Sequence, residues 1–211
     1  RPGQDSEVWI GEEEGEVADA DPRALTDFRG VLEPHGTWME DEKYGTVWQP
    51  SREEVGDDFV PYQTAGHWTY SDDYVWVSDY SWGWAPFHYG RWAYVPGSRW
   101  VWIPGRAYAG AWVAWRYGGP SYGYVGWAPL GPSWYWYNGV AVGYYGAPYR
   151  WGWSYCRSRD LYHPHVARRV VRGPAYVEAA RRTRPYVPAR PSVGRTPARP
   201  GVGGARVAAK P

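Results

Sequence analysis

The chain has 211 residues, a length that usually forms one domain with flanking segments. Because 17 Trp and 20 Tyr accompany only four Leu and two Ile, the composition excludes a core built mainly from aliphatic side chains. The formal net charge of +1 hides a division, since residues 1–80 hold 20 acidic and five basic side chains whereas residues 156–211 hold two acidic and 13 basic ones. This division predicts an acidic arm (1–20), a folded body (21–155) and a basic tail (156–211).

Residues 21–34 are predicted to form a short helix at the start of the body. Asp21 is a suitable N-cap, and Pro22 suits the first helical position. An apolar stripe at three-to-four spacing follows, made of Leu25, Phe28 and Leu32. The residue before a proline avoids helical dihedral angles, so the helix should end at Glu33 and pack its stripe against a sheet.

A Gly-x-Trp unit recurs from residue 36 onward, and a turn and a second aromatic strand follow its first three copies. The unit begins at Gly36, Gly66, Gly90 and, more loosely, Gly110. The second strands are 45–50, 74–77 and 100–104. Short aromatic runs between turn residues are typical of antiparallel hairpins, and Asn138-Gly139 predicts another hairpin over 133–145. The predicted fold class is all-β: successive Trp/Tyr-rich hairpins that close as a small barrel, a sandwich or a meander.

The Trp and Tyr side chains are expected to fill the interior of this body. Burying one large aromatic side chain removes about 150–250 Å² from water. Side chains alternate between the faces of a strand, so Trp100 and Trp102 share one face while Val101 and Ile103 share the other. Strands that are apolar on both faces need cover from a second sheet or from a partner. The candidates for exposed rings that stack on a glycan are Trp82, Trp84 and Trp92.

The tail is predicted to be a polycation. It holds eight prolines in 56 residues, so it is not expected to form a core of its own, although a short helix around residues 175–182 fits its sequence. Its candidate partner-binding residues are Arg168, Arg169, Arg172, Arg181, Arg182 and Arg184. Such a chain attracts polyanions without reading their sequence, and the attraction weakens as salt is added.

The sequence contains no constellation that predicts catalysis or metal binding. Asp72 and Asp73 fall where a hairpin turn is required, which outweighs a role as paired catalytic carboxylates with Asp79. The cluster with metal-ligating residue types, formed by Cys156, His163 and His165, lacks a fourth ligand. We therefore predict a non-enzymatic protein with no cofactor and no metal. As the single cysteine, Cys156 is either free or bonded to another chain.

Residues 117–149 carry no charge, but a membrane-spanning helix is not predicted there. Glycines and prolines recur every few residues and would interrupt a helix long enough to cross a bilayer. The chain starts at Arg1 rather than Met, as expected if a leader has been removed from an exported protein.

Four runs of the central region combine Trp, Tyr and Gly in a fixed order: Trp76–Trp84, His88–Trp92, Trp100–Arg106 and Gly126–Pro129. They resemble an uncharacterised bacterial family of aromatic-repeat envelope proteins, related to the YXWGXW-repeat group and often linked to FecR-like domains. The resemblance covers about residues 21–165 and departs from the strict repeat at Tyr80 to Trp84, which is one residue shorter. It implies an envelope location and a repeat architecture, and no chemistry.

Together these observations predict an exported envelope module, located in the periplasm, at the outer membrane or outside the cell. Its rigid hairpin body would carry a polycationic tail that tethers to an anionic envelope polymer or to an acidic protein surface. A larger assembly of several copies is compatible with the acidic arm and the basic tail. The alternative is a glycan-binding module that uses exposed Trp rings.

Overall fold

The structure, a computed structural model, describes residues 23–132, 134–137, 140–143 and 152–186. Its α-helices are α1 (Arg23–Leu32), α2 (Arg52–Val55), α3 (Gly119–Tyr122) and α4 (Pro174–Arg182), and short 3-10 turns lie at Glu33–His35, Ser158–Asp160 and Val166–Arg169. The strands are β1 (Gly36–Asp41), β2 (Gly45–Pro50), β3 (Gly66–Tyr70), β4 (Tyr74–Ser78), β5 (Arg91–Val95), β6 (Arg99–Ile103), β7 (Val113–Tyr117), β8 (Tyr124–Pro129), β9 (Trp134–Tyr137), β10 (Val140–Gly143), β11 (Ser154–Arg157) and β12 (Arg184–Tyr186).

The described strands form antiparallel sheets that are built mainly from hairpins. One four-stranded sheet has the order β1-β2-β6-β5, and a second has the order β11-β8-β7-β12. The hairpins β3-β4 and β9-β10 form two-stranded sheets. The predicted all-β class is confirmed, and these strands do not close into a barrel.

Each of four hairpins places one Trp directly opposite another. The pairs are Trp38 with Trp48, Trp68 with Trp76, Trp92 with Trp102, and Trp115 with Trp127. Directly opposed residues of an antiparallel pair lie on the same face, so each hairpin presents two indoles to one side. The rings of Trp68 and Trp76 are 5.2 Å apart between centroids and meet edge to face, a favourable geometry for aromatic pairs.

The glycine that opens the Gly-x-Trp unit lies beneath the indole of the second strand. A Cβ atom at Gly36 would lie 2.7 Å from the Trp48 indole, and one at Gly66 would lie 2.5 Å from the indole of Trp76. Real Cβ contacts of this length do not occur. In the first three copies of the unit the glycine is therefore required because the partner Trp occupies the space of a side chain, whereas at Gly110 the nearest atom is the carbonyl oxygen of Tyr74.

The core is aromatic, as predicted. Its largest fully buried side chains include Trp48, Trp68, Trp76, Trp82, Trp92, Trp102 and Trp127. Helix α1 closes one side of it: Phe28 and Leu32 are buried, and the Phe28 ring meets Trp102 edge to face at 5.5 Å. The structure confirms the helix, but Ala24 is buried whereas Leu25 is only half-buried.

The first sheet is apolar on both faces, as the alternation predicted. Trp102 joins the main core, whereas Val101 and Ile103 belong to a separate buried cluster with Val47 and Ala93. Trp100 and Trp102 contact the same core, which confirms the assignment of faces at strand β6.

Residues 154–186 belong to the folded body, so the predicted boundary between body and tail at residue 156 is too early. Strand β11 pairs with β8, and β12 pairs with β7 at the other edge of the second sheet. Between them, Leu161, Val166 and Ala179 are buried. A few small apolar side chains are enough here because this segment adds to an existing sheet instead of forming a core of its own. The arm (1–20) and residues 187–211 lie outside the described residues.

Candidate interaction surfaces

The three Trp residues proposed for glycan stacking do not form an exposed row. Trp82 is 2% exposed and donates its Nε1–H to Glu54 Oε2 at 2.7 Å. Trp92 is 1% exposed and donates to the carbonyl of Pro86 at 2.7 Å. Trp84 is half-buried and packs against Phe28. The stacking prediction is wrong for Trp82 and Trp92, since neither has a free ring face.

The basic segment, residues 154–186, carries its charge on a folded frame. Eight arginines project from it, and all of them are exposed: Arg157, Arg159, Arg168, Arg169, Arg172, Arg181, Arg182 and Arg184. Val166 and Ala179 anchor the segment to the body with no exposed surface. The six predicted arginines are therefore all exposed on a folded stretch of chain.

Few carboxylates neutralise these arginines. The segment contains only Asp160 and Glu178, and Glu178 pairs with Arg182 at 3.0 Å, four residues later on α4. Arg182 also lies over the ring of Tyr122 at 4.7 Å. Two arginines in the last turn of α4 complement its macrodipole. The basic segment therefore keeps a strong net positive charge.

A second exposed surface consists of tyrosines, and the sequence alone did not predict it. We call it the tyrosine surface; its members are Tyr70, Tyr74, Tyr117, Tyr162 and Tyr186. Four of them are 40–59% exposed, and Tyr74 is half-buried among them. The ring centroids of Tyr70 and Tyr74 are 5.0 Å apart, and those of Tyr117 and Tyr186 are 6.0 Å apart. Tyr162 lies close enough to Tyr74 to raise the pKa of the Tyr74 hydroxyl.

Burial and neighbouring phenols fix the chemistry of the tyrosine surface. They raise the pKa of Tyr74 to about 12, with burial as the main cause and Tyr162 as the next. The Tyr74 ring rests on Trp115 at 4.6 Å, so the surface is continuous with the core below it. The Tyr74 hydroxyl therefore stays protonated at neutral pH and can donate a hydrogen bond.

The turn between Tyr70 and Tyr74 is acidic. Asp72 is exposed, while Asp73 is half-buried and accepts a hydrogen bond from the Tyr74 backbone N–H at 2.7 Å. Burial raises the pKa of Asp73. The turn role predicted for this pair is confirmed, and it places two carboxyl groups beside exposed rings.

Inside the body, a polar cluster surrounds the start of β5. The Arg91 guanidinium is buried and lies 3.5 Å above the Trp112 ring. The Tyr62 hydroxyl donates to the Phe87 carbonyl at 3.1 Å and accepts from the Trp112 backbone N–H at 3.3 Å. His88 is buried nearby, which lowers its pKa, with Nδ1 3.1 Å from the carbonyl of Ala109. This cluster is closed to solvent and acts in packing.

The cluster of metal-ligating residue types noted in the sequence does not form a metal site among the described residues. Cys156 is buried in the core, where burial raises its pKa to about 12. His163 Nδ1 accepts from the His165 backbone N–H at 3.0 Å, and its Nε2 is 3.1 Å from an Arg169 nitrogen. Among the described residues, no group of three or more His, Cys, Asp and Glu could hold a metal ion.

No helix in the described part of the chain is long and apolar enough to cross a membrane.

Residues 29–134 match DUF6600, a family of unknown function. The chain belongs to this family. The DUF6600 match begins within α1, includes all four Trp-paired hairpins and ends at the first residue of β9. The basic segment of this DUF6600 protein lies beyond the match. No curated protein and no solved structure matches the chain.

Proposed function

We propose that this DUF6600 protein is a non-enzymatic interaction module of the bacterial envelope that attaches to an anionic polymer through its basic segment. One observation carries the proposal: eight exposed arginines accompany two carboxylates between residues 157 and 184. Residues 187–211 add five basic side chains and no acidic one. An acidic surface of a partner protein would satisfy the same charge.

Because the basic segment is folded, it should bind a polymer more tightly than an unstructured polycation of the same charge. Side chains that are fixed by α4 and β12 lose less backbone entropy on binding than those of an unstructured chain. Arginine donates in a planar fork that fits carboxylate and phosphate groups. We place the protein in the periplasm, at the outer membrane or outside the cell, on the basis of its resemblance to aromatic-repeat envelope proteins.

The test compares two double variants that remove the same charge. R168Q/R172Q neutralises two exposed arginines of the basic segment, and R29Q/R52Q neutralises two exposed arginines elsewhere. Each cation near an anionic surface contributes about 1 kcal/mol, so R168Q/R172Q should weaken binding to polygalacturonate about 30-fold at low salt. The control should bind within about twofold to threefold of wild type, and the neutral polymer dextran should not bind.

Salt provides the second readout. Binding through released counterions weakens steadily as ionic strength rises, and R168Q/R172Q should show a shallower dependence than R29Q/R52Q. Equal losses in both variants would show that net charge, and not the basic segment, drives attachment. That result would overturn the proposal.

A further inference from the structure

The proposed attachment to a polymer uses arginines and does not use the tyrosine rings, yet the tyrosine surface has the features of a docking site. Four rings, each 40–59% exposed, come from β3, β7, β12 and the loop at Tyr162, and they cluster around Trp115 and Tyr74. Exposed aromatic rings that converge on a rigid base mark interaction sites more often than scattered apolar residues do. Surfaces lined by aromatic rings also bind the prolines of extended proline-rich segments.

The charges beside the rings select a cationic occupant. Asp72 is exposed and forms no ion pair within the described residues, and the Asp73 carboxylate accepts a hydrogen bond from the Tyr74 backbone N–H. Two carboxyl groups repel an anionic polymer, so this surface and the basic segment favour different occupants. Arg184, exposed on β12 opposite Tyr117, is the cation of the surface. Arg184 repels a positively charged group of the occupant, so the acidic turn is the place on this surface where such a group can bind.

The chain itself contains a segment of the matching chemistry. Pro-Ala-Arg-Pro occurs twice after β12, at residues 188–191 and 197–200, and Val-Gly follows both copies one residue later. Prolines three residues apart lie on the same side of a polyproline II helix, about 9 Å apart, and such segments bind grooves lined by aromatic rings. The arginine between them is suited to pair with a carboxylate.

We infer that the tyrosine surface is the docking site of the chain's own Pro-Ala-Arg-Pro segment, with the prolines against the exposed faces of the tyrosine rings and Arg190 or Arg199 at the Asp72–Asp73 turn. The connection is short, because the segment starts two residues after Tyr186, which is itself part of the surface. An attached segment has an effective concentration in the millimolar range, so a weak individual affinity is enough for occupancy.

The test uses the full chain and a labelled synthetic peptide that covers residues 185–203. In the variant P188A/P191A/P197A/P200A the attached segment loses its prolines and keeps its charge. The peptide should bind this variant at least about tenfold more tightly than wild type, whose surface is occupied. Adding Y70S/Y186S to the proline variant should abolish peptide binding, whereas adding Y94S, an exposed tyrosine on the first sheet, should not.

Three outcomes would overturn the inference. The first is that the peptide binds wild type and the proline variant equally. The second is that adding Y70S/Y186S to the proline variant leaves its peptide binding unchanged. The third is that wild type forms a dimer that the proline substitutions dissociate, in which case the occupant is the segment of a second copy. D72N should weaken peptide binding and reduce its dependence on salt. Polygalacturonate binding by Y70S/Y186S should match wild type, so failure here and failure of the proposed function are distinguishable.

Discussion

The close approach of Gly66 to Trp76 predicts that Gly66→Ala destabilises the protein although alanine suits a strand better than glycine. The new Cβ would lie 2.5 Å from the Trp76 indole and 2.5 Å from the carbonyl of Val77. Trp76 is fully buried and already packed against Trp68, so a shift of about 1 Å disturbs the core. Overpacking of this kind costs about 1–3 kcal/mol, of which the lower entropy of the unfolded alanine chain offsets about 0.4–1 kcal/mol.

We therefore expect a net loss of about 1.3 kcal/mol, measured by urea unfolding and seen as a fall in Tm of roughly 3–5 °C. Gly30→Ala is the matched control, since nothing lies within 4 Å of its Cβ on α1. It should stabilise by about 0.5–1 kcal/mol. Trp76→Phe should cost less when Gly66 is already Ala, because the smaller ring relieves the contact. If Gly66→Ala matches Gly30→Ala, or the double variant is additive, the reasoning about the repeat glycine is refuted.

Three further predictions concern buried groups. Trp127→Phe should lower the free energy of unfolding in urea by about 1–3 kcal/mol more than Trp68→Phe does. Of these two indoles only that of Trp127 donates to a carbonyl, that of Tyr62 at 2.7 Å, and its loss leaves that carbonyl unpaired. Equal losses in the two variants would contradict this. The lowered pKa of His88 keeps it neutral when folded, so unfolding takes up a proton below about pH 6.5. As the pH is lowered below about 6.5, the free energy of unfolding should decrease by up to about 1.4 kcal/mol per pH unit. If H88F shows the same pH dependence of stability as wild type, His88 is not its source. Because burial raises the pKa of Cys156 to about 12, a thiol reagent at pH 8 should react about 1,000-fold more slowly with the folded chain than with the urea-unfolded one.

The hairpins were predictable because their determinants are local. Turn residues flank each aromatic run, and the alternation of Trp100 to Ile103 assigned both faces of β6 correctly. The short helix at residues 23–32 was predictable for the same reason, from the apolar spacing that includes Phe28 and Leu32. The helix at residues 174–182 lies where a short helix was expected to fit the sequence. Membership of a family of unknown function is consistent with the predicted uncharacterised family.

Features that depend on distant contacts were not predictable. Trp82 is buried against Trp48, and Glu54 on α2 accepts its indole N–H, an interaction between residues 28 positions apart. The fold continues to β12 because that strand pairs with β7 across the sheet edge, which proline and arginine content cannot reveal. The tyrosine surface arises from residues 70 to 186, brought together only by the packing of β3-β4 on the second sheet.

The contact network of the indoles also determines how the molecule absorbs and emits light. Trp68 lies 5.2 Å from Trp76, 4.8 Å from Trp115 and 5.9 Å from Trp127. Chromophores this close exchange excitation, so near-ultraviolet dichroism and fluorescence polarisation belong to the whole group and not to single rings. Replacing one of these indoles should therefore change the spectrum by more than the share of one residue in the total.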